Sequence, residues 1–181
     1  MAALPRDLDR FPAANALWAG NPEASYSAEQ VGRWLSANAT PVTQAFEGAV
    51  LDLGQGAKLE VSSVSPRGAV LLVEWQGFRA LLPVGMNFDT LAALDNGKKI
   101  GPVNVLLLAD SGFAQVNPPE WIAALRPSLA ILSVAAGDPT GLPEQSVLDE
   151  LAGTSLLRTD RNGWIRVSTD GSRMWVNVEK K

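Results

Sequence analysis

Three aspartates stand where an α/β protein could use them. Asp110 follows the apolar run 103–108, Asp138 follows the apolar run 129–134, and Asp89 follows the apolar residues 78–82. Carboxylates gathered at strand ends are hard oxygen ligands suited to Mg²⁺ or Mn²⁺. Asp110 and Asp138 are therefore the candidate catalytic residues, with Asp89 as a further ligand. The competing role is structural, since short acidic side chains also cap turns and helices. Ser111 lies beside Asp110, but the chain has no histidine to act as its base and no nucleophile-elbow pattern around it. The absence of cysteine removes thiolate nucleophiles, disulfides and cysteine-ligated metals. Gly54-Gln-Gly56 lacks the Gly-Lys-Ser/Thr ending of a phosphate loop, so it predicts a hairpin turn.

The elements that must position these residues follow from patterning. Residues 4–10 predict a short helix and 15–19 a small strand ending at Gly20-Asn-Pro22. Ser27-Ala-Glu-Gln30 fits a capping box for a helix over 28–37, whose Val31, Trp34 and Leu35 share a face. Strands are predicted at 42–46, 50–53 and 58–64, and a hairpin at 69–75 and 78–82 turning at Gln76-Gly77. A helix over 89–94 should stop at Asn96-Gly97. The continuous apolar run 103–108 predicts a strand covered on both faces. Asn117-Pro-Pro-Glu120 then supplies an N-cap, first-turn prolines and a glutamate for a helix that ends at Arg126-Pro127. A buried strand over 129–134, a long turn over 137–143, a helix over 144–152 and strands at 155–158, 164–168 and 174–178 complete the chain. Turns are expected at 160–163 and at Asp170-Gly171. These elements form a single α/β domain over 1–181, with helices outside two packed sheets.

Composition sets limits on partners. With 181 residues, 46% hydrophobic and 19% charged, the chain can bury a sizeable core. No apolar run reaches the roughly 18–20 residues of a membrane span. The first ten residues lack the unbroken apolar stretch of a signal peptide. The expectation is a soluble, unexported chain, cytoplasmic unless it is part of a longer membrane-attached protein. A net charge of −4 and a pI near 4.8 weigh against nonspecific nucleic-acid binding. Six tryptophans in an aromatic-poor chain could serve as interface anchors. Trp18, Trp75, Trp164 and Trp175 are the candidates, core packing being the commoner role for each.

The order of motifs resembles the metallo-β-lactamase-like domain of ComEC-type DNA-uptake proteins. Residues 51–61 resemble that family's strand pair and 73–82 its next hairpin. Residues 103–108, Pro119-Glu-Trp-Ile122, Arg126-Pro127, Leu132-Ser-Val134, Gly141, Pro143 and Leu157-Arg-Thr-Asp-Arg-Asn-Gly163 follow in the same order and at the same spacing. The resemblance covers about residues 11–170. It implies an αββα sandwich with mixed sheets and outer helices, truncated at its N-terminus, because the family's H-x-H-x-D-H motif would lie before this chain begins. The departures fall on the metal ligands. Gly85 or Met86 stands for an aspartate, Asp110 and Ser111 stand for paired histidines, and Leu142 stands for the histidine of Gly-His-Pro. A hydrolytic zinc or manganese site needs several imidazoles and an open position for water. The sequence thus predicts no metal, no cofactor and a catalytically inactive domain that binds or assembles. The alternative is a nuclease or phosphodiesterase using carboxylate ligands alone. A homodimer or protein partner is a further expectation, and nucleic acid enters only through the resemblance.

Overall fold

The computed structural model describes residues 13–23 and 26–180, so the helix expected at 4–10 lies outside the described residues. The elements run β1 (Ala16–Trp18), α1 (Tyr26–Ala37), β2 (Val42–Gln44), β3 (Val50–Gly54), β4 (Ala57–Ser65), β5 (Gly68–Trp75) and β6 (Phe78–Pro83). After α2 (Phe88–Ala93) come β7 (Val105–Leu107), α3 (Pro119–Leu125), β8 (Leu129–Leu132), α4 (Gln145–Glu150) and β9 (Ser155–Arg158). The chain closes with α5 (Thr159–Asn162), β10 (Ile165–Thr169) and β11 (Met174–Val178). The protein is α/β, built on a mixed sheet.

Seven strands, β3 to β9, lie side by side in sequence order. From β3 to β6 they pair antiparallel through tight turns, and from β6 to β9 they pair parallel. Parallel neighbours need a crossover, and each of the three crossovers carries a helix. All three helices lie on one face: Leu91, Trp121, Ile122, Leu125, Val147 and Leu151 join one core with Val70, Leu72, Leu81, Leu106, Ala130 and Leu132 of the sheet. Burial of a side chain such as Leu106 contributes about 1.5–3 kcal/mol. On the opposite face Leu17 and Ala19 pack on Ala49, Val61 and Ala69. In place of two full sheets, the described residues form one seven-stranded sheet and two ribbons, β1 with β2 in parallel and β10 with β11 antiparallel.

Most element positions agree with the sequence reading, and the differences have local causes. Helix α1 begins at Tyr26, so Ser27 lies inside its first turn and is not the cap. Leu35 is buried and Val31 and Trp34 are half-buried, as the apolar stripe requires. Asn87 accepts from the Thr90 N–H and opens α2 one residue earlier than expected. Asn96 and Gly97 both turn left-handed after that helix, and a β-carbon on Gly97 would press on the Trp121 ring. Helix α3 is capped by Pro118 without a side-chain bond, because Asn117 points inward. Residues 159–162 make a helical turn where a loop was expected.

Candidate functional site

The parallel strands end together, and three irregular loops meet there, the position at which open α/β sheets place ligands. The loop after β7 is bound by one side chain. Asn117, 1% exposed, accepts from the Ala109 N–H (3.0 Å) and donates to the carbonyls of Ala109 (2.9 Å) and Phe113 (2.7 Å). Between those anchors Asp110 (φ 40°), Ser111 (φ 52°) and Gly112 (φ 84°) are successively left-handed. Such a conformation costs roughly 1–2 kcal/mol for each non-glycine residue. It persists because Asn117 fixes the chain on both sides of it.

This loop joins its neighbours through residues that the sequence pattern singled out and one that it did not. Arg67, in the turn between β4 and β5, places Nη2 3.0 and 2.9 Å from the two carboxylate oxygens of Asp110. Ser65 accepts from the Arg67 N–H (3.0 Å) and donates to the Gly85 carbonyl (2.6 Å). Gly85 itself donates to Ala69 O (3.0 Å), and a β-carbon on it would overlap the backbone of Gly68 and Ala69. On the other side, a β-carbon on Gly112 would meet Pro143, and the Gly112 carbonyl accepts from the Glu144 N–H (3.2 Å). Gly85, Asp110, Ser111 and the Leu142–Pro143 segment are therefore neighbours in space, linked in that order through Gly68, Arg67 and Gly112.

The residues at those positions are engaged by the protein itself. Gly85 has no room for a ligand side chain, and Met86 is buried in the core. The Asp110 carboxylate faces a guanidinium. Asp138 is occupied within its own turn, where Thr140 bonds it through both its hydroxyl and its N–H; the hydroxyl foremost holds its carboxyl below the usual range. Asp89 lines an adjoining cleft of about 220 Å³ with Glu47, Ser63, Ser65, Asn87 and Thr90. The three candidate aspartates do not converge. Among the described residues no group of three His, Cys, Asp or Glu side chains could hold a metal ion. Ser111 is half-buried, with no hydrogen bond from its hydroxyl to a basic side chain among the described residues.

The tryptophans divide differently from the expectation of core packing. Trp121, not among the interface candidates, is the fully buried one. Trp18 and Trp75 are half-buried, and the Trp75 indole donates to Gln55 O (3.0 Å). Trp164 and Trp175 stand 53% and 48% exposed on the β10–β11 ribbon. Sequence reasoning missed Arg67, whose partner lies 43 residues away and whose own neighbourhood, Pro66-Arg-Gly68, signals only a turn.

Comparison of the chain with protein-family models found no match, and neither did comparison with curated proteins. Among the described residues no helix is long and apolar enough to cross a membrane.

Proposed function

We propose that this chain is a metal-free binding or assembly module, with a layer arrangement of the metallo-β-lactamase-like type and no hydrolytic activity. The observation that carries the reading is the Arg67–Asp110 ion pair. A guanidinium supplies the positive charge at the one candidate ligand position that keeps a carboxylate. Support also comes from Gly85, where backbone packing excludes an aspartate. The mixed sheet, with three helices on one face and β1 packed on the other, fits one half of an αββα sandwich. The resemblance is what connects such a module to DNA uptake.

The test is calorimetric titration of metal-stripped protein with Zn²⁺, Mn²⁺ and Mg²⁺, on the natural chain, Asp110→Ala and Arg67→Ala. The expected result is no saturable heat at millimolar ion in any of the three. Saturable binding by the natural chain that disappears in Asp110→Ala would replace this reading with a carboxylate-ligated hydrolase, and nuclease and phosphodiesterase assays would follow.

A further inference from the structure

The C-terminal ribbon presents a face that the core does not use. Its pairing sets Arg166 opposite Asn177 and Ser168 opposite Trp175. Alternation along the strands puts Ile165, Val167, Met174, Val176 and Val178 on one side, half-buried except for Val176 at 38% exposure, and Arg166, Ser168, Trp175 and Asn177 on the exposed side. Trp164, two residues before Arg166, shares the exposed side, and the Arg166 guanidinium carbon sits 5.7 Å from its ring centroid. That stacking holds the arginine in place with its charge still open to solvent. Two exposed indoles on one small ribbon are a costly surface to leave in water.

The ribbon's charge is opposite in sign to that of the chain. Residues 164–180 contain three Lys and Arg against two Asp and Glu, whereas the whole chain contains 15 against 19. Glu179, the acidic residue at the Trp164 corner, already accepts from the Trp164 N–H through its carboxylate (3.3 Å). The two indoles occupy diagonal corners, four cross-strand pairs apart, with Arg166 between them. That separation is about 13 Å along the strands, the reach of four residues of extended chain.

We propose that the outer face of β10 and β11 docks an extended acidic segment of a partner protein. Apolar side chains at positions i and i+4 of the segment lie on Trp164 and Trp175, and a carboxylate at i+2 meets Arg166. This gives the binding module its surface and its partner's chemistry, and so rests on that reading. Metal titration tests the module and peptide binding tests the surface, so the two can fail separately.

The probe is a capped peptide, Ser-Thr-Leu-Thr-Glu-Thr-Leu-Thr-Ser, added to the ¹⁵N-labelled full chain, with its Lys-for-Glu counterpart as control. The indole N–H signals of Trp164 and Trp175 should shift saturably with the acidic peptide, while that of buried Trp121 stays in place. Affinity should fall about tenfold in Trp164→Ala/Trp175→Ala. Arg166→Glu, an exposed change that leaves the ribbon's pairing intact, should reverse the preference between the two peptides. Absence of saturable shifts at millimolar peptide would overturn the proposal, as would equal binding of both peptides or undiminished binding by Arg166→Glu. It would be overturned equally by Trp-dependent sedimentation with phosphatidylglycerol vesicles, or by Trp-dependent dimerisation, in a chain that ignores the acidic peptide.

Discussion

Arg67 and Asp110 tie the turn between β4 and β5 to the loop after β7, with one guanidinium nitrogen lying between both carboxylate oxygens. The Arg67 side chain is 57% exposed, so solvent screens the pair and its coupling should be below about 1 kcal/mol. A double-mutant cycle on urea midpoints measures that coupling. Within the cycle Asp110→Gly should be more stable than Asp110→Ala by about 1 kcal/mol, because residue 110 is left-handed and glycine adopts that conformation freely. Equal stability of the two variants would show that the loop relaxes to an ordinary conformation.

Asn117 carries a larger share of the same loop. Asn117→Ala leaves the Ala109 N–H and C=O without this partner in a buried position, and the Phe113 carbonyl with the Val116 N–H alone. The expected loss is about 2–3 kcal/mol, read as a fall in urea midpoint. Gln115→Ala, an exposed change two residues away, should leave the midpoint in place.

The pair of residues at 117 and 67 also shows where the sequence was legible. Strands β4 to β6 and β8, and helices α2 to α4, were readable because apolar periodicity and turn residues are local signals. Asn117 was readable as a loop residue, but its position before two prolines suggests a cap, and its inward turn depends on which carbonyls the folded loop leaves unpaired. Arg67 carries no local signal at all. The sequence predicts a second full sheet where the described residues form ribbons, since short strands such as β1 and β10 have the alternation of sheet members whether they join the main sheet or stand as ribbons. Trp164 and Trp175 could be named as anchors from residue type, but their exposure follows from the ribbon standing apart from the seven-stranded sheet, which no local pattern encodes.

Gly85 separates a vacant ligand position from an impossible one. If it were merely a lost aspartate, Gly85→Asp would restore a ligand at little cost. The structure instead puts the new side chain into the backbone of Gly68 and Ala69, so the expected loss is on the order of 3 kcal/mol, without gain in metal affinity. Val84→Asp, at a neighbouring position that is 63% exposed, should shift stability by less than about 0.5 kcal/mol. Thermal midpoints and metal titration of both variants check this. Metal binding by a stably folded Gly85→Asp chain would reinstate the position as a ligand site.

The pH dependence should be flat where most proteins vary and steep in acid. With no histidine in the chain, no side chain with an ordinary pKa titrates between about pH 5 and 8. Arg158 bonds Asp160 through Nε (3.0 Å) and Nη2 (2.7 Å), and this holds the Asp160 carboxyl below its usual range. Lys58 foremost, with Arg79, does the same to Glu74. A carboxyl whose pKa is lower in the folded than in the unfolded chain adds stability above its unfolded value, about 3.9 for aspartate and 4.3 for glutamate. That stability is lost as pH falls through the folded value. Urea midpoints should therefore change little from about pH 8 to pH 5 and fall below about pH 4. The stability gap between the natural chain and Asp160→Asn should be widest above about pH 5 and close progressively in acid, since protonation removes the same charge that the substitution removes. A gap that stayed constant from neutral pH to about pH 2.5 would mean that Asp160 acts through packing alone and that its pairing with Arg158 contributes nothing to the acid limb.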